Sequence, residues 1–429
     1  MKPEPSAPQT PSSALIKDSP QENDSSITKP RFFPGPSVAV QSRFLRVALR
    51  QNVKRAKFSS GGQIDILSNG DFHISERGTI AVEISGAGDK VSGESPLHGK
   101  WECALPCTLL SKNEFNIIDY DGSSFRGSMI LVAAPRGSFT VVNYVGVEDY
   151  LRGVVPLEIG HRGPEEIEAV KAQAVASRTY TYKKILENRS MDFDLLPTIS
   201  DQVYGGVLAE NPVCNQAINT TADQVVVYHD SLIYAYYHST CGGKTANIED
   251  VWENKQPLQY LRSIHDIDEK GEPFCGFSGS FSWEESWSDA RLSSIVNRYS
   301  REVFSQKPTA GSIVSITIDS RFSCGRAREC TIKTTSGSYR YGGDKIRFIL
   351  RRDQNGNPVL RSALITDVSK KSGLIVMKGK GYGHGIGMCQ FGAIGRARAG
   401  QSYEQILKAY YTGVEVKQIG FLKEQRTAR

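Results

Sequence analysis

Residues 164–189, PEEIEAVKAQAVASRTYTYKKILENR, divide the chain into two kinds of sequence. Pro164 opens a helix at a position where its missing N–H costs nothing. Glu165, Glu166 and Glu168 place negative charge at the positive end of the helix dipole. The Ala-rich run that follows predicts a long helix to about Asn188. Ile167, Val170, Ala174, Thr181 and Ile185 fall near one face and make an apolar stripe. Arg178 falls in the same stripe, and a charge facing the core needs a partner. A carboxylate or several carbonyls are therefore expected around it.

Upstream of this helix, strand-like stretches alternate with turn signals: FLRVAL from Phe44, QIDIL followed by Ser-Asn-Gly, TIAVEI from Thr79, GSMILVAA from Gly127 and SFTVVNYV from Ser138. They predict a mainly antiparallel β region over 43–147. Downstream, residues 148–282 carry the helix, a helix or turn over 212–222, and strands VVVYH and LIYAYYHS joined by Asp230-Ser231. Residues 283–365 read as an inserted α+β module. In it WSDARLSSIVNRY and DKIRFILRR are helical, and SIVSITI, CTIKTTS and YRYGG are strand and turn. Residues 366–429 return to the core with strand GLIVMKG, a glycine-rich loop and helix SYEQILKAYY, which starts at Ser402 with Glu404 in its first turn. The fold class is α+β: an antiparallel β lead-in, a mixed α/β core and an inserted module.

The bulk numbers set bounds. A chain of 429 residues is long enough for two or three domain-sized units. A formal net charge of +6 is mild for that length and gives no argument for nucleic acid. It suits an anionic polymer as well as it suits an ordinary surface. No apolar run is long enough for a membrane-spanning helix, and the N-terminus lacks the charged-then-apolar pattern of an export signal. Residues 1–42 are rich in Pro, Ser and Gln and are expected to be a disordered tail. Among the 8 cysteines, Cys103 with Cys107 and Cys324 with Cys330 could each close a small loop in an oxidising compartment, or stay as buried thiols.

Three clusters carry chemistry. Glu158 lies in LRGVVPLEIG, where a strand end is expected to meet a turn. Val155, Pro156, Leu157 and Ile159 border it, and partial desolvation of a carboxyl raises its pKa and suits it to general acid work. The loop GKGYGHGIGMCQFGA is the densest glycine cluster and reads as a pocket wall carrying His384, Met388 and Gln390. Its glycines do not fit dinucleotide binding, because the spacing fails and His384 would occupy the phosphate site. Glycine here admits close backbone approach, which suits a bulky ligand or a tightly packed core turn. In HSTCGGKT, His238 and Cys241 are joined by the later Cys275: three ligands for zinc, or a Cys241–Cys275 disulfide, or unligated thiols.

Five blocks, VGVEDYLRGVVPLEI, EAVKAQAVASRTYTY, DQVYGG, YHSTCGGKT and GYGHGIGMCQFGA, occur in this order. Together they resemble the signature blocks of the SpoIID/LytB family, sporulation stage II protein D-like peptidoglycan lytic transglycosylases. FRGSMILV resembles the family's β lead-in less specifically. The resemblance implies an enzyme that cleaves peptidoglycan glycan strands, amidase-denuded ones by preference, between N-acetylmuramic acid and N-acetylglucosamine with an anhydro end. It places the catalytic glutamate on Glu158. Asp201, Gln202, Tyr204, His384, Met388 and Gln390 are expected at the sugar, with Arg178 holding a wall through Asp201 or backbone. No cofactor is required, and a structural zinc at His238, Cys241 and Cys275 is optional. The expected partners are glycan strands and a cell-wall amidase, in an extracytoplasmic location. The rival reading is a non-catalytic glycan-binding module that recruits or stimulates such an amidase.

Overall fold

The computed structural model describes residues 43–68, 71–95, 97–303, 311–352 and 358–419; the tail expected over 1–42 lies outside them. The fold is α+β. Within it the chain forms two compact units, one holding residues up to Tyr236 and from Ala393 onward, the other holding Tyr237–Gly392.

The first unit opens with strands β1 (Phe44–Val53), β2 (Arg55–Ser68), β3 (Asp71–Ser85), β4 (Lys90–Ser95), β5 (Gly99–Ala104), β6 (Cys107–Ser111), β7 (Ile117–Tyr120), β8 (Ser123–Arg126), β9 (Ser128–Ala134) and β10 (Ser138–Gly146). They make one antiparallel sheet in the order β1-β10-β9-β6-β2-β3-β4-β5, with β7 and β8 paired beside β2. Alternation sets which side is buried: in β6 Cys107, Leu109 and Ser111 point inward and their neighbours are half-exposed. β10 is buried along most of its length because β1 and β9 flank it on both edges.

β10 feeds helix α1 (Val147–Arg152), then a short α2 (Val155–Ile159), then α3 (Ile167–Glu187) behind a 3₁₀ turn at Pro164–Glu166. The predicted amphipathic stripe on α3 is a correction. From Ala169 to Tyr182 every residue but Lys171 is buried, so the helix runs through a core rather than over one. Its Ala, Ser and Thr residues keep the helix thin enough for neighbours on all sides. Polar side chains are satisfied inside: Thr179 and Thr181 hydroxyls donate to the carbonyls four residues back at 2.6 and 2.9 Å. Helix α4 (Pro212–Thr220) is capped by Asn211, whose side chain accepts from Val213 and Cys214 N–H. Strands β11 (Gln224–Tyr228) and β12 (Ser231–Leu232) follow.

In the second unit β13 (Tyr237–His238) precedes α5 (Ile248–Val251), β14 (Ser282–Ser288), α6 (Asp289–Val303), β15 (Ile313–Arg321), β16 (Ala327–Thr334), β17 (Gly337–Gly342), α7 (Lys345–Ile349), β18 (Ile365–Lys371), β19 (Leu374–Lys380) and β20 (Met388–Cys389). Two three-stranded antiparallel sheets, β14-β19-β18 and β15-β16-β17, share a core with α6 and α7 that includes Trp283, Trp287, Leu292, Ile332, Ile349 and Met377. β13 pairs with β20 in parallel, Tyr237 opposite Met388 and His238 opposite Cys389.

The chain returns to the first unit through α8 (Gln390–Arg398), α9 (Tyr403–Tyr410) and β21 (Glu415–Gln418). Ser402 and Gln405 form a reciprocal capping box at the start of α9, and β21 pairs with β11. No helix among the described residues is long and apolar enough to cross a membrane.

Candidate functional site

Glu158 sits on α2, a helical turn rather than the expected strand end. Pro156 in its first turn supplies the fixed φ of a helix start. Val155, Pro156 and Ile159 are buried, Leu157 is 38% exposed, and Glu158 itself is partly exposed. The backbone N–H of Val203 donates to its Oε1 at 2.9 Å. That contact exists because the DQVYGG segment docks on the turn between α1 and α2. Gly205 N–H donates to the Gly153 carbonyl at 3.0 Å. A Cβ on Gly153 would lie 2.6 Å from the Tyr204 ring and 2.9 Å from the Gly206 carbonyl, so glycine is what permits the approach.

Gln202 and Tyr204 face inward and the partly exposed Asp201 is engaged by protein partners, which corrects their expected place at a sugar. Gln202 is 1% exposed, and its Oε1 accepts from the Tyr150 hydroxyl at 3.2 Å and the Thr181 hydroxyl at 3.0 Å. Tyr204 is 7% exposed; its hydroxyl donates to Asn143 Oδ1 at 3.0 Å and its ring packs against Tyr150 and Phe125. Burial pushes the Tyr204 phenol well up. Asp201 accepts from the Tyr180 hydroxyl at 2.8 Å and from Leu196 N–H at 2.9 Å, and pairs with Lys184 at 2.9 Å. All three brace the segment that holds Glu158.

Arg178 is fully buried, and its carboxylate partner is Glu148, not Asp201. Nε and Nη2 grip the two Glu148 oxygens at 2.7 Å each, and carbonyls of Gln224 and Ile218 accept at 3.2 and 3.3 Å. A planar fork matched to a carboxylate is what Arg provides and Lys does not. With no solvent face, Arg178 acts as a strut rather than a sugar ligand.

In the second unit the glycine-rich loop is filled by its own neighbours. Gly381, Gly383 and Gly385 all have positive φ. A Cβ on them would lie 2.6 Å from the Thr240 carbonyl, 2.8 Å from His238 Cβ and 2.3 Å from the Arg326 guanidinium. These glycines serve packing against HSTCGG, the second of the two roles their density allows. His384 is partly exposed; its Nδ1 accepts from Ile386 N–H at 3.0 Å, which leaves the proton on Nε2. Its ring lies 5.5 Å from His238 and 5.3 Å from Trp252. Burial, then the Arg347 cation, pulls its pKa down to about 3, so the ring is neutral. Met388 is fully buried and Gln390 7% exposed, so neither offers the side-chain surface expected of a pocket wall.

The expected metal set is also corrected. Cys241 and Cys275 converge with Cys389 and Asp266, all four buried, their ligand atoms within 4.8 Å of one another. Cys241 Sγ is 3.5 Å from Cys275 Sγ and 3.3 Å from Asp266 Oδ2. His238 is outside this group: its Nδ1 is 3.1 Å from the Ile386 carbonyl, and its buried Nε2 has no hydrogen-bond partner among the described residues. Hydrogen bonds from Cys241 and Cys389 pull the Cys275 thiol down, while burial pushes the other two up. N–H groups of Gly243 and Gly392 also point at Cys241 and Cys389 sulfurs, at 3.3 and 3.2 Å. Three thiols and a carboxylate fit zinc: thiolates sharing a tetrahedral zinc at ~2.3 Å lie ~3.8 Å apart. Cys389 is legible as a candidate ligand within GYGHGIGMCQFGA, whereas Asp266, in HDIDE, carries no local signal. The pairs Cys103/Cys107 and Cys324/Cys330 are buried free thiols.

Residues 135–228 match the family described as Stage II sporulation protein, and residues 276–387 match a Domain of unknown function (DUF8618). An uncharacterised protein of Brachyspira hyodysenteriae is 31% identical over 298 residues, covering 69% of this chain and 73% of that one. The amidase enhancer of Bacillus subtilis is 32% identical over 290 residues, 61% of this chain but 39% of the enhancer. Stage II sporulation protein D of Bacillus subtilis is 24% identical over 310 residues, 69% of this chain and 81% of its own length.

Proposed function

Because the chain belongs to the SpoIID/LytB family, named for stage II sporulation protein D, and so has a cell-wall-related role, we propose that it is a lytic transglycosylase acting on peptidoglycan glycan strands outside the cytoplasmic membrane. The observation that carries this is Glu158, a partly exposed carboxyl whose Oε1 is fixed by the Val203 N–H. A single oriented carboxyl suffices for the reaction. Protonated Glu158 gives its proton to the glycosidic oxygen between N-acetylmuramic acid and N-acetylglucosamine as the C1–O bond breaks. The oxocarbenium-like muramic acid is captured by its own primary hydroxyl, whose proton passes to the Glu158 carboxylate. The acid is restored, no water is consumed and an anhydro end remains. No second nucleophilic carboxylate is needed, unlike in two-carboxylate hydrolases.

Zinc at Cys241, Asp266, Cys275 and Cys389 would cross-link buried loops and has no part in this chemistry. The similarity to an amidase enhancer favours a second reading, a glycan-binding module that stimulates a cell-wall amidase. Incubation with amidase-treated glycan strands and mass analysis of the released sugars separates the two. We expect anhydro ends from the wild type and none from Glu158→Gln, which should fold normally and still bind glycan. Reducing ends would indicate water as nucleophile, intact strands the binding module. Wild-type turnover by Glu158→Gln would remove the catalytic assignment.

A further inference from the structure

We infer that Tyr234, Tyr236 and Lys183 form a sugar platform that recognises a carboxylate-bearing glycan; the inference rests on the glycan reading above and names residues for it. After β12 the chain runs through Ile233–Tyr236 outside any strand, with a tight turn at Ala235 in which the Tyr236 N–H donates to the Tyr234 carbonyl at 2.8 Å. Ile233 and Ala235 are fully buried, while Tyr234 and Tyr236 are partly exposed. Their rings lie parallel, centroids 5.8 Å apart at 6°. The Tyr180 ring meets Tyr236 at 6.2 Å, edge on. The Tyr234 hydroxyl donates to Glu187 Oε1 at 2.6 Å, which fixes that ring. Preset aromatic faces of this kind lose little entropy when an apolar sugar face stacks on them.

The charge arrangement points to the class of sugar. Tyr180, Lys183, Lys184 and Glu187 share one face of α3 by their spacing. Lys184 is neutralised by Asp201 at 2.9 Å. Lys183 is different: its Nζ lies 4.6 Å from the centre of the Tyr234 ring, and among the described residues no carboxylate pairs with it. A cation seated over the Tyr234 ring, with no carboxylate paired to it among the described residues, complements a negatively charged sugar. In a strand alternating N-acetylglucosamine with N-acetylmuramic acid, removing the stem peptide turns the lactyl amide into a carboxylate, one charge on every second sugar. The platform is also tied to the acid. Tyr180 and Lys184 both hold Asp201, two residues before the Val203 whose N–H holds Glu158.

The test is calorimetric binding by the full chain, carrying Glu158→Gln to prevent turnover. Two ligands are compared: amidase-treated strands, and the same strands with their carboxylates capped as methylamides. Lys183→Met should weaken binding of the charged strands about five-fold, the scale of one surface ion pair, and leave the capped strands unchanged, with Lys183→Arg restoring the preference. Tyr234→Ala with Tyr236→Ala should weaken both ligands about ten-fold, the scale of lost aromatic packing. Equal effects of Lys183→Met on both strands, or none on either, would overturn the carboxylate role. Unchanged binding by the tyrosine variants would overturn the platform while leaving the glycan reading standing. Failure of the parent protein to bind either strand would overturn both.

Discussion

Arg178 and Glu148 show how unequal the two halves of an ion pair can be. Arg178 has no solvent exposure, while the Glu148 side chain is 33% exposed. Replacing Arg178 by Met leaves a carboxylate that water can reach and fills the space with apolar volume. Replacing Glu148 by Gln leaves a guanidinium buried against two carbonyls and a neutral amide. The second change should therefore be the worse, about 3 kcal/mol against about 1 kcal/mol for the first, since an uncompensated buried charge dominates such losses. Urea unfolding of both variants measures the order, and equal losses would contradict it. The need for a partner was legible at Arg178 from helical periodicity alone. Its identity was not, because Asp201 is already held by Tyr180 and Lys184, a fact of packing with no trace in local sequence.

The elements were legible where periodicity is strong and hidden where tertiary approach decides. β1, β9, β10, α4 and α9 follow from apolar alternation, capping residues and turn signals. The sequence pattern predicts α3 with one apolar face, whereas the structure buries it all round, because small residues look polar or neutral in a pattern and become core once neighbours close in. The density of glycine in the loop fits a ligand or a tightly packed turn equally, and the structure fills the space with Thr240, His238 and Arg326. One consequence is a pH dependence. His384 is held neutral, its pKa pulled down to about 3 by burial and Arg347, and burial lowers His238 as well. An unfolded histidine binds its proton near pH ~6.5. Between that value and the folded one the unfolded chain takes up protons that the folded chain refuses, so stability falls as pH drops below ~6.5 and is complete above it. The thermal midpoint should decline from pH 7.5 to pH 5, less steeply in His384→Asn, whose side-chain oxygen can still accept from Ile386. A flat wild-type profile, or an identical slope in the variant, would remove the histidine explanation.

At the scale of the molecule, the family blocks are distributed over both compact units, and each unit has its own source of order. The first has a long sheet and a buried helix. The second has an aromatic and aliphatic core in residues 283–377, and outside it the loops carrying Cys241, Asp266, Cys275 and Cys389, which include little regular structure. Loops of that kind bury few apolar side chains, and a shared metal would fix their relative positions with a free energy that counts as folding free energy. A disulfide between Cys241 and Cys275 would do less, since it leaves Cys389 and Asp266 uncommitted. Metal binding needs thiolates, and the hydrogen bonds that already favour the ionised form of Cys275 support it. Protein purified under reducing conditions should therefore carry about one zinc per chain by elemental analysis. Chelation should lower the thermal midpoint of the second unit, and Cys389→Ser should lower zinc content far more than His238→Gln does. Thiol counting without reductant completes the experiment. A metal-free protein with Cys241 and Cys275 oxidised would replace the zinc with a disulfide, and loss of zinc on changing His238 but not Cys389 would restore the ligand set expected from sequence.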